Sequence, residues 1–142
     1  MKIREVMTDS VIQVGQEETV AVAARMLTRN NIGILPVCDQ RGKLCGLVTD
    51  RDLVTRCVAA GQDPKITKVA DVMTRQITWA DPEMRTGVAA HLMGRLQVRR
   101  LPVVENGKLC GIVSLGDLAV CPETSLDAAD ALTDISDNVS MR

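Results

Sequence analysis

Apolar positions along this chain follow two spacings that recur in the same order, twice. Short runs bounded by turn residues read as strands at Val11–Val14, Leu35–Cys38 and Leu44–Thr49, and again at Ile77–Trp79, Leu101–Val104 and Leu109–Ser114. Between the first and second run of each set the spacing becomes helical. Ala23, Met26, Leu27 and Asn30 fall on one helix face in the first set, and Val88, Leu92 and Leu96 do so in the second. The turns "DQRG" and "ENG" join the second and third strands, and the Asn-Gly pair is a strong hairpin signal. A further helix is expected after Thr49 and after Ser114. The first carries on to Gly61, a residue suited to the position just past a helix end, and Pro122 stops the second early. A last helix over Ser125–Ser136 puts Ala128, Ala131, Leu132 and Ile135 on one face, and the tail from Ser136 reads as loose.

The recurrence extends to identity of residues. "KIREVMT" (Lys2–Thr8) answers "KVADVMT" (Lys68–Thr74), and "KLCGLVTDRDL" (Lys43–Leu53) answers "KLCGIVSLGDL" (Lys108–Leu118). The period of about 65 residues is too long for the common solenoid repeats, and two copies make no open array. They are expected to pack as a pseudo-symmetric pair. The organisation is therefore copy one at 2–61, a linker at 62–67, copy two at 68–121, and a C-terminal helix and tail at 122–142.

Composition narrows the function. A net charge of -1 over 142 residues lacks the basic excess of a nucleic-acid binder. There is no Phe or Tyr and a single Trp, so no aromatic platform exists for stacking single-stranded bases. No run is long and apolar enough for a membrane span, and the first residues show no secretory signal, so a cytoplasmic protein is expected. Five cysteines without a CxxC fit reduced, mostly buried thiols; a redox role for Cys38, just after Pro36-Val37, is the exception left open. His91, the one histidine, has no partners in sequence for a metal site and reads as surface or boundary packing. No nucleophile–base pair, paired catalytic carboxylates or metal cluster stands out, so neither catalytic nor metal-binding residues are assigned.

The strand and helix order β-α-β-β-α, twice, with "GILPV" or "RRLPV" before a turn and "GLVTDRD" or "GIVSLGD" after it, resembles a pair of CBS domains, a Bateman module. The resemblance covers nearly the whole chain and extends to the small stand-alone CBS-pair proteins of bacteria. It implies a mixed α+β fold in which two repeats pack through their sheets and leave clefts related by a pseudo-twofold axis. It also implies an adenosine-containing ligand (AMP, ADP, ATP, NAD or S-adenosylmethionine) as regulator, with no obligatory cofactor, and a homodimer acting on an unknown downstream protein.

Carried over by position, Asp52 and Asp117 are the ribose residues, and Thr49 and Ser114 their hydroxyl partners. A carboxylate accepts both hydroxyls of a cis-diol in charge-assisted bonds. The start of the following helix is expected to offer free N–H groups to an anion. Arg99 and Arg100, before "LPVV", are phosphate candidates in copy two, as basic residues at this place are in nucleotide-sensing members of the family; the guanidinium fork matches phosphate oxygens. Copy one has Gly33 and Ile34 there, and Arg51 is its phosphate candidate, with Gly116 as the counterpart. Pro36, Pro102 and Trp79 complete the cleft walls, and Trp79 is expected in a strand with its ring partly buried. Against this, Thr49-x-x-Asp52 and Ser114-x-x-Asp117 are also capping boxes in spacing, so the same residues could simply start a helix. The expectation is a non-catalytic sensor module; the alternative is a ligand-free structural or protein-interaction dimer.

Overall fold

A computed structural model of the chain describes the backbone of residues 1–140 and the side chains of residues 1–137. In chain order the elements are β1 (Val14–Gly15), α1 (Val20–Asn30), β2 (Ile34–Cys38), β3 (Leu44–Thr49), α2 (Asp50–Leu53), α3 (Thr86–Leu96), β4 (Arg100–Glu105), β5 (Lys108–Ser114), α4 (Leu115–Ala119) and α5 (Ser125–Ser140). Short 3-10 turns at Ile3–Glu5 and Val69–Asp71 precede each set, and a π-helical segment, Val54–Val58, extends α2 toward Gly61. The fold is mixed α+β, as the sequence pattern indicates.

The chain divides into two compact units. Unit 1 comprises Met1–Val11, Thr78–Asn106 and Cys110–Arg142, and unit 2 comprises Ile12–Ile77 and Gly107–Leu109. These bodies do not coincide with the sequence repeats at 2–61 and 68–121. Each opening turn belongs to the other copy's body. Ile3 is fully buried in the core of unit 1 with Met93, Leu101, Val113 and Leu118. Val69 and Met73 lie in the core of unit 2 with Leu35, Val37 and Val48. The exchange is held by backbone bonds: Ile3 N–H donates to Met84 O at 2.8 Å in unit 1, and Val69 N–H to Glu18 O at 2.8 Å in unit 2.

In unit 2, β2 pairs antiparallel with β3 and parallel with β1, Val14 opposite Val37. The strands β4 and β5 pair across Asn106-Gly107, both with positive φ (54° and 80°), as a tight two-residue hairpin turn requires. The first strands are shorter than the pattern suggests. β1 starts only at Val14, and Ile77–Trp79 forms no strand; Ala80 alone bridges Val103.

The motif glycines have a packing reason. A Cβ on Gly46 would stand 2.6 Å from the Thr74 carbonyl oxygen, and one on Gly111 would stand 2.9 Å from that of Thr8. Each turn segment pairs directly with the strand carrying the glycine. Leu47 and Thr74 exchange N–H···O bonds of 3.0 and 2.8 Å, and Thr8 and Ile112 exchange bonds of 2.8 and 2.9 Å.

Helix faces bring corrections. On α1 Val20, Ala23 and Leu27 are buried, Met26 is half-buried, and Asn30 is exposed with its amide folded onto Met26 O. On α3 the expected stripe splits: Leu92 is half-buried against the core of unit 1, but Val88 is 54% and Leu96 38% exposed, while Ala89, Ala90, Met93 and Gly94 are buried. Small residues win that face because α5 lies against it; a Cβ on Gly94 would stand 3.1 Å from Ala131 Cα. On α5 Ala128, Ala131 and Ile135 are buried as expected, whereas Leu132 is 44% exposed. The helix also runs past Ser136 to Ser140, so that part of the expected loose tail is helical; Met141 and Arg142 lie outside the described residues.

Candidate functional site

Both Ser/Thr-x-x-Asp motifs close as reciprocal capping boxes. Asp52 N–H donates to Thr49 Oγ1 at 3.1 Å, and Thr49 N–H donates to Asp52 Oδ2 at 3.0 Å. In the second copy Asp117 N–H donates to Ser114 Oγ at 3.0 Å, and Ser114 N–H to Asp117 Oδ2 at 2.9 Å. The local reading is therefore satisfied in both copies, and it claims one carboxylate oxygen in each. The helix starts are less open to an anion than expected. Asp50 N–H donates to Gly33 O at 3.1 Å, and Leu115 N–H to Arg99 O at 2.8 Å. The Arg51 N–H is taken by Asp50 Oδ1 at 2.8 Å.

The two aspartates then part company. Asp52 is buried, with Thr74 Oγ1 at 3.4 Å from both carboxylate oxygens and Arg56 Nε at 3.8 Å from Oδ1. Its acceptor capacity is largely used inside the protein. Asp117 is half-buried, and Cys121 stands where copy one has Arg56, so the cation that meets Asp52 has no counterpart there. Among the described residues its Oδ1 has no side-chain partner.

A cavity of about 460 Å³ opens beside this second motif, entirely within unit 1. It brings together Arg99, Arg100 and Ser114 with Leu115, Gly116 and Ala119 of the α4 region. Its far wall is Ser125, Ala128, Ala129 and Leu132 of α5. Both arginines are exposed, and neither is ion-paired among the described residues. Asp117 borders the cavity through its bond to Ser114 without lining it. The α5 wall was not legible as site. Its one signal is Leu132, an apolar residue on the inward stripe that stays half open because it faces this hollow.

The remaining candidates are not gathered there. Pro102 is buried in β4 and Pro36 in β2. Gly33 and Ile34 are half-buried; a Cβ on Gly33 would stand 3.5 Å from the Asp50 carboxylate. Arg51 points into solvent. Trp79 is in no strand and 52% exposed, because the chain joins the β4 edge only at the next residue, Ala80. His91 is exposed but has a carboxylate neighbour that the sequence hid, Asp127 Oδ1 at 3.5 Å. Among the described residues no three His, Cys, Asp or Glu side chains converge as a metal site. No helix among them is long and apolar enough to cross a membrane. Cys38 is buried, and desolvation pushes its thiol up to about 11, which keeps it protonated.

The duplicated hairpin-and-capped-helix units are those of a tandem CBS pair, and residues 3–59 and 69–129 each match the CBS domain: the chain belongs to that family. It is 40% identical over 134 residues to the CBS domain-containing protein YhcV of Bacillus subtilis, covering 94% of each chain. Hypoxic Response Protein I, solved with two coordinated zinc ions, superposes with a TM-score of 0.77 at 34% identity, covering 84% of this chain and 97% of that one. The CBS domain pair of protein MJ0100, solved with 5'-methylthioadenosine and S-adenosyl-L-methionine, shares the fold at a TM-score of 0.73 and 24% identity, covering 84% of this chain and 93% of that one.

Proposed function

We propose that this chain is a non-catalytic regulatory module that binds an adenosine-containing ligand in the unit 1 cavity. The observation that carries this reading is the meeting of Arg99, Arg100 and Ser114 at one hollow of about 460 Å³, with Asp117 beside it. That volume lies in the ordinary range of small-ligand sites, about 300–1,000 Å³. Asp117 Oδ1 is the acceptor for a ribose hydroxyl, and the two guanidinium groups take the phosphates. The apolar α5 wall receives the adenine ring. The adenosine ligands of the MJ0100 pair support the ligand class. In copy one Thr49 and Asp52 have the weaker claim, because Thr74 and Arg56 already occupy the carboxylate. On binding, the ligand bridges the β4 edge and α5, so helix position is the output.

A thermal-shift and calorimetric screen with AMP, ADP, ATP, NAD and S-adenosylmethionine tests the reading. A ligand at 100 times its Kd should stabilise the protein by about 2.7 kcal/mol. Arg100→Ala and Arg99→Ala should weaken ligands in proportion to their phosphate charge and leave adenosine little changed. A second reading, a protein-interaction dimer, is favoured by Val54, Val58 and Ile66, which are 57%, 67% and 76% exposed on unit 2. No thermal shift with any ligand, together with concentration-dependent dimerisation lost in Val58→Glu, would favour it instead.

A further inference from the structure

The pseudo-symmetry of the two units exposes one missing side chain. In unit 1 Arg4 N–H donates to Pro82 O at 2.9 Å, and in unit 2 the equivalent Ala70 N–H donates to Gln16 O at 3.0 Å. The neighbouring lysines match as well. Lys2 Nζ stands 2.7 Å from Glu83 Oε2, and Lys68 Nζ stands 2.6 Å from Glu17 Oε2. Backbone and lysine thus take the same course in both bodies. The residue two positions on from the lysine differs. In unit 1 the Arg4 guanidinium bridges two carboxylates, with Nε 3.0 Å from Glu83 Oε1 and Nη2 3.2 Å from Glu105 Oε1. In unit 2 the equivalent carboxylates are Glu17 and Asp39, and Ala70 has nothing to reach them with.

A cavity of about 570 Å³ lies there, lined by Glu17, Glu18, Cys38, Asp39, Gln40 and Arg41 among others. Every lining residue belongs to unit 2. Asp39 is fixed in place, since its Oδ1 accepts from Arg41 N–H at 2.8 Å and Lys43 N–H at 2.9 Å. The bond from Lys43 N–H, chiefly, holds this carboxyl below the ordinary carboxylate range, so it is ionised near neutrality. Glu17 already carries an ammonium on Oε2, which leaves Oε1, the counterpart of the oxygen that meets Arg4 in unit 1. The buried Cys38 thiol stays protonated and offers no thiolate to a metal. The chemistry left vacant is that of a planar, two-sided donor.

We propose that this unit 2 cavity recognises a guanidinium group supplied by a ligand, bridging Glu17 and Asp39 as Arg4 bridges Glu83 and Glu105. The group comes either on a free small molecule or as an arginine side chain of a peptide. Arg41, at the rim, is the internal competitor for Asp39. The site is separate from the adenosine cavity and independent of that reading.

The test is titration of the full chain by NMR, following the amides of Gly15, Glu17 and Asp39. The probes are agmatine, the peptide Gly-Arg-Gly, and 1,4-diaminobutane as ammonium control. Agmatine and the peptide should produce saturable shifts at millimolar concentration, with the diamine at least about tenfold weaker. Glu17→Gln and Asp39→Asn should each weaken binding severalfold, and Arg41→Gln should tighten it. Ala70→Arg should place the protein's own guanidinium on the two carboxylates, raise thermal stability and abolish binding. Binding of the peptide alone assigns the site to an arginine in a polypeptide; equal binding of agmatine assigns it to a free molecule. If neither guanidinium probe shifts these amides, or if binding survives in Ala70→Arg, the proposal is wrong.

Discussion

Replacing Gly46 by alanine adds one carbon at a place with no room for it. The new Cβ would lie 2.6 Å from the Thr74 carbonyl oxygen and 3.0 Å from Met73 Sδ. A sulfur at the end of a flexible side chain can swing away, but a carbonyl oxygen in a two-way backbone bridge cannot. Relief requires the Val69–Thr74 turn to lift off β3, breaking the 3.0 and 2.8 Å bonds between Leu47 and Thr74. Two such bonds contribute about 1 kcal/mol each. Loosened packing around Val72 and Met73 adds about 1–2 kcal/mol. Alanine returns less than about 1 kcal/mol through the reduced freedom of the unfolded chain. The net expectation is a loss of about 2–4 kcal/mol, large against the ~5–15 kcal/mol of a typical domain. Gly111→Ala should be milder, about 1–2 kcal/mol, because its nearest neighbour is the movable Met7 Sδ at 2.7 Å and the Thr8 oxygen is farther, at 2.9 Å. Urea unfolding followed by circular dichroism gives both values, and hydrogen exchange at the Leu47 and Thr74 amides reports the bridge directly. A Gly46→Ala protein within about 0.5 kcal/mol of the parent, with those amides still protected, would refute the packing argument.

The two aspartate replacements separate capping from binding. Asp117→Asn keeps an oxygen for the Ser114 N–H and should change stability by under about 1 kcal/mol, while affinity for the identified adenosine ligand falls by about 1.5–3 kcal/mol, measured by calorimetry. Asp117→Ala should lose both, and an unchanged Kd in either variant removes Asp117 from the site. The buried thiols Cys38 and Cys57 should resist iodoacetamide at mildly alkaline pH in the folded protein, whereas the partly exposed Cys45, Cys110 and Cys121 are modified first; mass spectrometry of timed samples reads the order. The folded-state pKa of Cys38 is raised from 9.0 to about 11, so its contribution to stability is complete below the lower value and fades as pH rises through the higher. Cys38→Ala should flatten that part of the alkaline unfolding profile, and an unaltered slope would count against the shift.

Local chemistry carried much of this protein into its sequence. The second and third strands of each copy, the Asn-Gly turn and both capping boxes depend on neighbours a few residues apart, so spacing alone specified them. The duplication was plain from identity of residues, and with it the family. What the sequence could not say is which body each opening turn would join, since "KIREVMT" and "KVADVMT" share their lysine, their apolar positions and their Val-Met-Thr end, which fit either partner. Tertiary packing placed Ile3 in one core and Val69 in the other. Packing also shifted the face of α3, where close contact with α5 selected Ala89, Ala90 and Gly94 over the larger Val88 and Leu96 and left only Leu92 of the expected stripe against the core. The same docking of α5 made a cavity wall from residues with no chemical signature. Two matching motifs also gained unequal freedom to bind: Thr74 reaches Asp52 from 22 positions away, a contact that packing alone decides, while the Arg56 beside Asp52 gives way to Cys121 beside Asp117, a difference already legible in the sequence. Hydrogen-bond spacing along a chain is set by covalent geometry and is legible residue by residue. The choice among partners of equal local merit is made only when surfaces compete for burial, and that competition is decided in three dimensions.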